Sequence, residues 1–203
     1  MAISNEELQT AKMNLRREIK RALKQSDPDD RLRWSRMICD KVQTTDAWTQ
    51  CSDVLLFHPM GEEVDTTGLI SAADAAGKHV YLPRIDDIHM HFHLLTTEGL
   101  EKHSYGMMEP PQESPLWSAS RDGGEDATLI VCPGLGFDRS GGRLGRGKAF
   151  YDKFLASTLD SERRIVIMGI CFEVQMVELV PTGPYDHEMQ IIVTERSILP
   201  LSS

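Results

Sequence analysis

The chain has 203 residues and a formal net charge of −9, with 40% hydrophobic and 26% charged residues. This composition is that of an ordinary globular domain, which excludes a disordered or fibrous class, and the negative charge disfavours a general nucleic-acid binder. The four cysteines form no CxxC pair, no signal peptide is visible, and no apolar stretch approaches the roughly 20 residues that span a bilayer, so we expect a cytoplasmic monomer without a membrane partner.

The amino-terminal part of the chain predicts two helices. Ser4 and Glu7 have the spacing of a capping box, and apolar residues then recur at helical spacing, which predicts a helix over about residues 5–25. Asp27 and the proline after it supply an N-cap and a first-turn proline for a second helix. We therefore predict a helical segment over residues 5–44.

From residue 53 onward, short apolar runs alternate with helical or loop segments, as in buried parallel strands. Crossover helices are predicted over residues 65–76 and 148–158. The alternation predicts an α/β fold with an open, mostly parallel sheet and helices on both faces, spanning residues 53–195, and ligands of such sheets bind beyond the carboxyl ends of the strands. The apolar runs are Val54–Phe57, Val80–Leu82, Leu129–Cys132, Ile165–Phe172 and Ile191–Val193.

Histidine and apolar residues alternate strictly from His89 to Leu94, which predicts a strand with His89, His91 and His93 on one face. Three histidines at this spacing resemble some zinc sites. We interpret them instead as the solvated outer face of an extra strand, followed by a long loop over residues 109–124.

The segment from Val131 to Asp152 reads VCPGLGFDRSGGRLGRGKAFYD and ends where a helix is predicted. Glycines let backbone amides approach an anion closely, and the start of a helix adds partial positive charge. Because the chain as a whole is negative, a cluster of cations here marks the candidate phosphate site. These cations are Arg139, Arg143, Arg146 and Lys148.

The spacing from Gly142 to Lys148 matches the GxxxxGK pattern of a P-loop, but Ala149 stands where that motif needs Ser or Thr to hold Mg²⁺. A P-loop is therefore not predicted. A metal that accompanies the nucleotide needs a carboxylate elsewhere, and Asp152 lies four residues after Lys148, on the same face of the predicted helix. An ordinary salt bridge between these two residues is the alternative.

Residues 133–138 (PGLGFD) and 142–152 (GRLGRGKAFYD) resemble the signature of the 5-formyltetrahydrofolate cyclo-ligase family. The resemblance implies one Rossmann-like domain over residues 1–203, with a sheet like that of sugar-phosphate isomerases and coenzyme A transferases. It also implies ATP-driven, Mg²⁺-dependent conversion of 5-formyltetrahydrofolate to 5,10-methenyltetrahydrofolate, with release of ADP and phosphate. Supporting similarity lies at residues 12–16, 57–66, 82–84 and 105–110.

The implied chemistry starts from a formyl group on N5, which is an amide and a poor electrophile. Phosphorylation of its oxygen creates a phosphate leaving group and lets N10 attack the carbon to close the ring. The enzyme then needs cations at the transferring group, Mg²⁺, and a pocket that holds N10 near the formyl carbon.

By position, the resemblance implies that Lys12 and Arg16 contact ATP and that Asp152 binds Mg²⁺. Arg146 and Lys148 are the predicted catalytic cations. The residues predicted to hold the phosphates are Arg143, Leu144, Gly145, Arg146, Gly147, Lys148, Ala149, Phe150 and Tyr151.

The predicted folate residues include Glu63, whose carboxylate is placed to accept hydrogen bonds from the N–H groups of the pterin. A polyglutamylated folate is also compatible with this interpretation as the substrate, with Arg84 as the candidate contact for its anionic tail. The full set of predicted substrate residues is His58, Met60, Glu63, Tyr105, Arg146 and Phe150.

Two positions depart from the family pattern. The family often has Gly-Tyr where this chain has Ala149 and Phe150, and many members have a second metal-linked Asp where this chain has Gln190. A neutral amide binds Mg²⁺ weakly, so either Asp152 serves alone or Asp186 takes that place. Gln190 favours the main alternative, a non-catalytic folate- or nucleotide-binding module; an isomerase or acyl-transfer enzyme is a second alternative, and an RNA-binding protein is the least favoured.

Overall fold

The computed structural model describes residues 4–103, 106–119, 127–159 and 161–201. Both predicted amino-terminal helices are confirmed: Ser4 and Glu7 form the capping box, and the Asp27 side chain accepts a hydrogen bond from the backbone of Asp29. The helices are α1 (Asn5–Gln25), α2 (Pro28–Gln43), α3 (Asp46–Gln50), α4 (Thr67–Ala75) and α5 (Phe150–Thr158), with a short 3₁₀ helix at Glu173–Gln175.

The strands follow the predicted apolar runs and add several short pieces. In chain order they are β1 (Cys51–Leu55), β2 (His79–Asp86), β3 (His89–Leu94), β4 (Glu101–Lys102), β5 (Met108–Glu109), β6 (Ala127–Cys132), β7 (Gly136–Asp138), β8 (Arg143–Leu144), β9 (Ile165–Ile170), β10 (Met176–Val177), β11 (Ile191–Val193) and β12 (Ile198–Pro200). The main sheet thus begins before residue 53 and ends after residue 195.

The predicted open, mostly parallel sheet is confirmed. It has seven strands in the order β12-β11-β9-β6-β1-β2-β3. Neighbours from β11 to β2 pair in parallel, and only the edge strands β3 and β12 are antiparallel to their neighbours. The chain runs from β1 outward to β2 and later returns to β6 on the other side of β1, and a crevice at such a reversal is where open α/β sheets bind ligands.

Helices cover both faces of the sheet, as predicted. Ile19 of α1 and Leu69 of α4 share one buried cluster with Val54 of β1. On the other face, Leu155 of α5 shares a second cluster with Leu55, the next residue of β1. Since neighbouring residues of one strand enter opposite cores, the strand is buried on both sides, which explains its unbroken apolar run.

The helix predicted over residues 148–158 begins only at Phe150, because Ala149 has a φ of 55° in the left-handed region. Lys148 therefore precedes the helix, and the prediction that Lys148 and Asp152 share a helical face is wrong. Asp152 instead accepts a hydrogen bond of 2.7 Å from the guanidinium of Arg143. The alternative prediction, a salt bridge between Lys148 and Asp152, is therefore also wrong, because Asp152 pairs with Arg143.

Strand β3 has the predicted bounds, but its three histidines are not equally solvated. His89 and His91 are exposed, whereas His93 is buried and its Nδ1 lies 2.8 Å from the backbone oxygen of Ser114. The chain after Ser114, predicted as loop, adds alongside β3 through backbone hydrogen bonds and covers His93. Within the described ranges, no group of three or more His, Cys, Asp or Glu side chains is arranged to hold a metal ion.

A small second sheet, in the order β10-β7-β8, carries the glycine-rich segment. Its hairpin, β7 and β8, follows directly after β6 and so extends the carboxyl end of a central strand. Of the helices that the structure describes, none is long and apolar enough to cross a membrane.

Candidate active site

A cleft that is almost closed in this structure lies at the carboxyl ends of the central strands, at the reversal of strand order between β1 and β6. This is the position that the sheet topology favours for a ligand. The residues that line the cleft are Phe57, Glu63, Val64, Pro133, Gly134, Ile170 and Gln175.

Asp138 anchors the glycine-rich hairpin from inside. Its side chain is buried and accepts hydrogen bonds from the backbone of Ser140, Gly142 and Val180. Burial by itself raises the pKa of Asp138, but the bonds from Ser140, Val180 and Gly142 outweigh it and lower the pKa below its ordinary value. A Cβ at Gly142 would lie 2.4 Å from Asp138 Oδ2, so the close approach that shapes this turn requires glycine.

Helix α1 lies against the hairpin and presents two cations to it. A Cβ at Gly136 would lie 2.4 Å from Ile19 Cδ1, so the missing side chain lets the helix dock closely. One turn apart on the helix, Arg16 donates a hydrogen bond of 2.9 Å to the backbone oxygen of Gly145, and Lys12 pairs with Asp186. Of the two predicted ATP contacts from α1, Arg16 therefore lies on the glycine-rich segment, and Lys12 lies on Asp186.

Arg143 is buried, and its guanidinium holds the start of α5 to the hairpin. Its Nη2 donates a hydrogen bond of 2.7 Å to Asp152 Oδ1, and its Nη1 donates one of 3.3 Å to the backbone oxygen of Pro133. The guanidinium carbon lies 5.5 Å from the centre of the Tyr151 ring. Leu144 is also buried. The side chains of Arg143 and Leu144, which were predicted to hold the phosphates, are therefore buried inside the protein.

Arg146 and Glu63 form an ion pair that joins the two predicted halves of the site. Arg146 Nη2 and Nε lie 2.8 and 2.9 Å from Glu63 Oε1, although the residues are far apart in sequence. The second carboxylate oxygen accepts a hydrogen bond of 3.0 Å from the backbone N–H of Met60. The acid predicted at the pterin and a cation predicted at the transferring phosphoryl group are thus in direct contact.

Within the part of the chain that the structure describes, no side chain caps the start of α5. Ala149 precedes the helix without a side-chain cap, so the first-turn N–H groups are left open to a ligand. Gly147 has a φ of 104°, a conformation that strains any residue with a side chain. Lys148 is exposed and forms no hydrogen bond or ion pair with the described part of the chain.

The remaining predicted substrate residues differ in what the structure shows of them. His58 and Met60 are half-buried in the segment after β1, and Phe150 packs against the second core. Tyr151, which was predicted at the phosphates, has a buried hydroxyl that forms no hydrogen bond with the described residues, and burial raises its pKa well above the ordinary value. Tyr105 lies outside the described residues.

Gln190 is engaged within the main sheet. Its side-chain oxygen accepts a hydrogen bond of 2.8 Å from the backbone N–H of Ile167, and its own backbone N–H donates to the oxygen of the same residue. Asp186, the other acid that the sequence left open, lies against Lys12 and accepts a second hydrogen bond from the backbone of Gly183.

Gln175 was missed by the sequence analysis. Its side chain is buried and donates to the backbone oxygens of Gly134 and Leu135, at 2.9 and 3.0 Å, and accepts from the backbone of Phe172. It thereby ties the ends of β6 and β9 together at the cleft. A single glutamine carries no sequence signal for this role, because its two acceptors are backbone oxygens from a distant segment.

Two features lie apart from this site. A larger cavity, about 500 Å³, lies beside β3 and α5, where His89, His91 and Lys153 line it, and it contains none of the predicted site residues. Arg84, the candidate for a folate tail, pairs at 3.0 Å with the buried Glu109 and donates to the backbone oxygen of Pro110, so its side chain braces the segment around β5.

Comparison with known proteins agrees with the geometry. The model described as "5-formyltetrahydrofolate cyclo-ligase family" matches residues 8–195. The mouse 5-formyltetrahydrofolate cyclo-ligase is 31% identical over 195 residues, which cover 93% of this chain and 95% of the mouse protein. A probable 5-formyltetrahydrofolate cyclo-ligase of Schizosaccharomyces pombe is 30% identical over 174 residues, covering 80% and 84% of the two chains. The solved structure of the Aquifex aeolicus 5,10-methenyltetrahydrofolate synthetase matches with a TM-score of 0.79 and 25% identity, covering 95% of this chain and 93% of that one.

Proposed function

The chain belongs to the 5-formyltetrahydrofolate cyclo-ligase family, and from that premise we propose that it converts 5-formyltetrahydrofolate to 5,10-methenyltetrahydrofolate with ATP and Mg²⁺, releasing ADP and phosphate. The observation that carries the proposal is the contact between Arg146 and Glu63 at the carboxyl ends of the sheet. It brings a cation suited to phosphoryl transfer within hydrogen-bond distance of a carboxylate suited to the pterin.

The proposed reaction activates the formyl oxygen by phosphorylation. The formyl oxygen forms a bond to the γ-phosphorus as the bond to the bridging oxygen of ADP breaks. N10 then attacks the formyl carbon and loses its proton, and the original formyl oxygen leaves with phosphate. Arg146 and Lys148 would neutralise the charge on the transferring oxygens, which is the largest contribution that a protein makes to this chemistry.

The residues around the glycine-rich hairpin fit a nucleotide triphosphate. The open N–H groups at the start of α5 and Lys148, which is unpaired within the described residues, are donors suited to an anion. The Arg16 guanidinium lies 3.7 Å from where a Cβ of Gly147 would stand. Lys12 would extend this row of cations along α1. In this proposal Arg143 acts on the nucleotide indirectly, by holding the first turn of α5 in place.

Asp152 and Asp186 are the candidate carboxylates for a Mg²⁺ ion that arrives with ATP. Mg²⁺ is usually held by one or two carboxylates together with phosphate oxygens and water, so a cage of protein ligands is not required. Asp152 Oδ2 forms no hydrogen bond with the described residues, and Asp186 lies beside Lys12. We propose these two acids as the ligands, because the side chain of Gln190 is engaged by Ile167.

Folate would bind in the cleft between the segment after β1 and the hairpin. Glu63 is the proposed acceptor for the pterin N–H groups, with His58, Met60 and Phe150 around it and Tyr105 retained as a prediction. The Tyr151 hydroxyl is a further donor, since a buried hydroxyl without a partner gains a hydrogen bond when a ligand oxygen reaches it.

Absorbance of the methenyl product tests the proposal. Protein, 5-formyltetrahydrofolate, Mg²⁺ and ATP are mixed, with ATP omitted in one control and Lys148→Ala in another. Growth of the methenyl band only with ATP, and more slowly in the variant, is the expected result. No growth in any mixture, with folate still bound, would favour the non-catalytic binding module.

Gln190 was the residue that favoured that module. In the structure its side-chain amide extends the pairing between β9 and β11, which gives a structural reason for a glutamine at this position. The observation therefore no longer separates the two alternatives, and ATP turnover does.

The cytoplasmic location stays a prediction. The four cysteines are free and buried, as a reducing compartment allows. A relative from Arabidopsis thaliana is named as mitochondrial, so fractionation of the source cells with antibody detection is the measurement that decides.

A further inference from the structure

We propose that Glu63 restrains Arg146 until folate binds, so that occupation of the pterin pocket releases this arginine to the transferring phosphoryl group. This inference rests on the proposed function and adds to it a means by which the enzyme avoids splitting ATP when no folate is present. It follows from the ion pair between these two residues and from the number of acceptor positions that Glu63 has left.

A carboxylate has two oxygens and about four lone-pair positions. Oε1 of Glu63 already accepts a hydrogen bond of 2.9 Å from Arg146 Nε, with Arg146 Nη2 2.8 Å away, and Oε2 accepts one of 3.0 Å from the backbone N–H of Met60. Two neighbouring N–H groups of a pterin bind side by side, one to each oxygen, as in a bidentate pair. Because two nitrogens of the Arg146 guanidinium lie within 3 Å of Oε1, a pterin N–H reaches this oxygen only if Arg146 moves away from it.

Burial decides which partner moves. The side chain of Glu63 is 11% exposed and is held by the Met60 backbone, whereas that of Arg146 is 45% exposed. An ion pair with one member this exposed is screened by water and can be exchanged at little cost. Glu63 therefore stays in place to receive the pterin while the guanidinium turns away from it.

The position of Arg146 gives its release a consequence. Arg146 lies between Gly145 and Gly147 in the chain. The guanidinium of Arg16 donates a hydrogen bond to the backbone oxygen of Gly145 and also lies against Gly147. A freed Arg146 is therefore next to the proposed phosphate site. By linkage, a nucleotide that attracts Arg146 also frees Glu63 for folate, so each ligand strengthens the binding of the other by the same factor.

Binding measurements test this coupling without turnover. The probes are a non-hydrolysable ATP analogue with Mg²⁺ and 5-methyltetrahydrofolate, which has no formyl oxygen to phosphorylate. In the wild-type protein we expect each probe to lower the dissociation constant of the other by about fivefold or more, as is usual for coupled sites. Glu63→Gln should bind the ATP analogue, without folate, as tightly as the wild type does with folate. Glu62→Gln, a change at a neighbouring acid that forms no ion pair with the described residues, should behave as the wild type.

Equal affinity of the ATP analogue for wild type and Glu63→Gln without folate, or no coupling in the wild type, would overturn the proposal. ATP hydrolysis without folate is the second readout, and it should rise severalfold in Glu63→Gln but not in Glu62→Gln. A rate in Glu63→Gln at or below that of the wild type contradicts the restraint. Failure of the proposed function is distinct, since it appears as wild-type protein that forms no methenyl product with ATP.

Discussion

Among single residues, Arg143 shows how a charge within a binding motif can serve the scaffold. Its guanidinium is almost fully buried and satisfies both Asp152 and the backbone of Pro133. Replacing it with an apolar residue leaves the Asp152 carboxylate without its partner, and such a loss is strongly destabilising. The same residue also fixes the direction in which Asp152 faces the proposed nucleotide.

We expect Arg143→Met to lower the free energy of unfolding by about 3 kcal/mol, because it breaks a buried ion pair and leaves one charge unpaired. Urea denaturation at neutral pH measures the change. Arg139→Met is the matched control, since Arg139 is exposed in the neighbouring turn and its loss should change the free energy by less than about 0.5 kcal/mol. Equal effects of the two substitutions would contradict the structural role of Arg143.

Asp138 gives a prediction with a pH dependence. Asp138→Asn places an amide N–H₂ against backbone donors, and we expect a loss of about 1–3 kcal/mol in the free energy of unfolding. Because the folded-state pKa of Asp138 is lowered, its carboxylate stabilises the protein above the unfolded-state value of about 4, and this contribution is lost as the pH falls through the folded-state pKa. The difference in the free energy of unfolding between wild type and variant should therefore be largest at pH 7 and become smaller below about pH 4. A difference that grows as the pH falls would exclude this explanation.

The choice between Asp186 and Gln190 can be tested by Mg²⁺ titration of activity. Asp186→Asn should raise the Mg²⁺ concentration for half-maximal rate by about tenfold or more, as expected when a metal-linked acid is lost. Gln190→Ala should leave the Mg²⁺ requirement unchanged and instead lower thermal stability, because it removes the acceptor for the Ile167 backbone. The reverse pattern would assign the metal-linked position to Gln190.

For single residues, the sequence predicted the members of the glycine-rich motif but not the residues that they contact. Arg146, Lys148 and Asp152 could be named because glycines and cations cluster in one segment. The contact of Arg146 with Glu63 and that of Gln175 with Gly134 join distant segments, and nothing in local spacing encodes them. Such contacts follow from the tertiary fold alone.

Among the secondary-structure elements, the start of α5 differs most from expectation. Lys148 and Ala149 are good helix formers, so propensity extends the helix to them. In the structure Ala149 takes the left-handed conformation, with a φ of 55°, and the helix begins after it. This turn frees Lys148 from the helix and leaves the first N–H groups open.

Ala149→Gly should therefore stabilise the protein. An L-residue in the left-handed region costs about 1–2 kcal/mol, and the extra backbone freedom of glycine offsets about 0.5–1 kcal/mol of the gain. We expect a net increase of about 0.5–1 kcal/mol by urea denaturation. Ala156→Gly, at an exposed interior position of the same helix, should instead cost about 1 kcal/mol, and a loss in both variants would argue against the left-handed conformation of Ala149.

The helices and long strands were predictable because their signals are local. Capping residues mark the starts of α1 and α2, and burial on both faces gives the central strands their unbroken apolar runs. Strands β7, β8 and β10 have only two or three residues each, too few for any periodic pattern. They form because Asp138 and the docking of α1 hold the hairpin in place.

For the whole molecule, alternation of strands and helices predicted the class of fold, and it led to the edge of the sheet at which we propose that ligands bind. It did not predict the strand order, because periodicity says which residues are buried and not which strands pair. The order places β1 and β6 side by side at the centre, with the segment of Glu63 after one and the hairpin of Arg146 after the other. The two halves of the proposed site meet for this reason.

The most direct test of the ATP-driven cyclo-ligase reaction follows the formyl oxygen. 5-Formyltetrahydrofolate labelled with ¹⁸O in the formyl group is incubated with enzyme, Mg²⁺ and unlabelled ATP, and the released phosphate is analysed by mass spectrometry. If the formyl oxygen is phosphorylated, each methenyl product formed is matched by one phosphate that carries the label. Methenyl product without ATP, or phosphate without the label, would contradict the account.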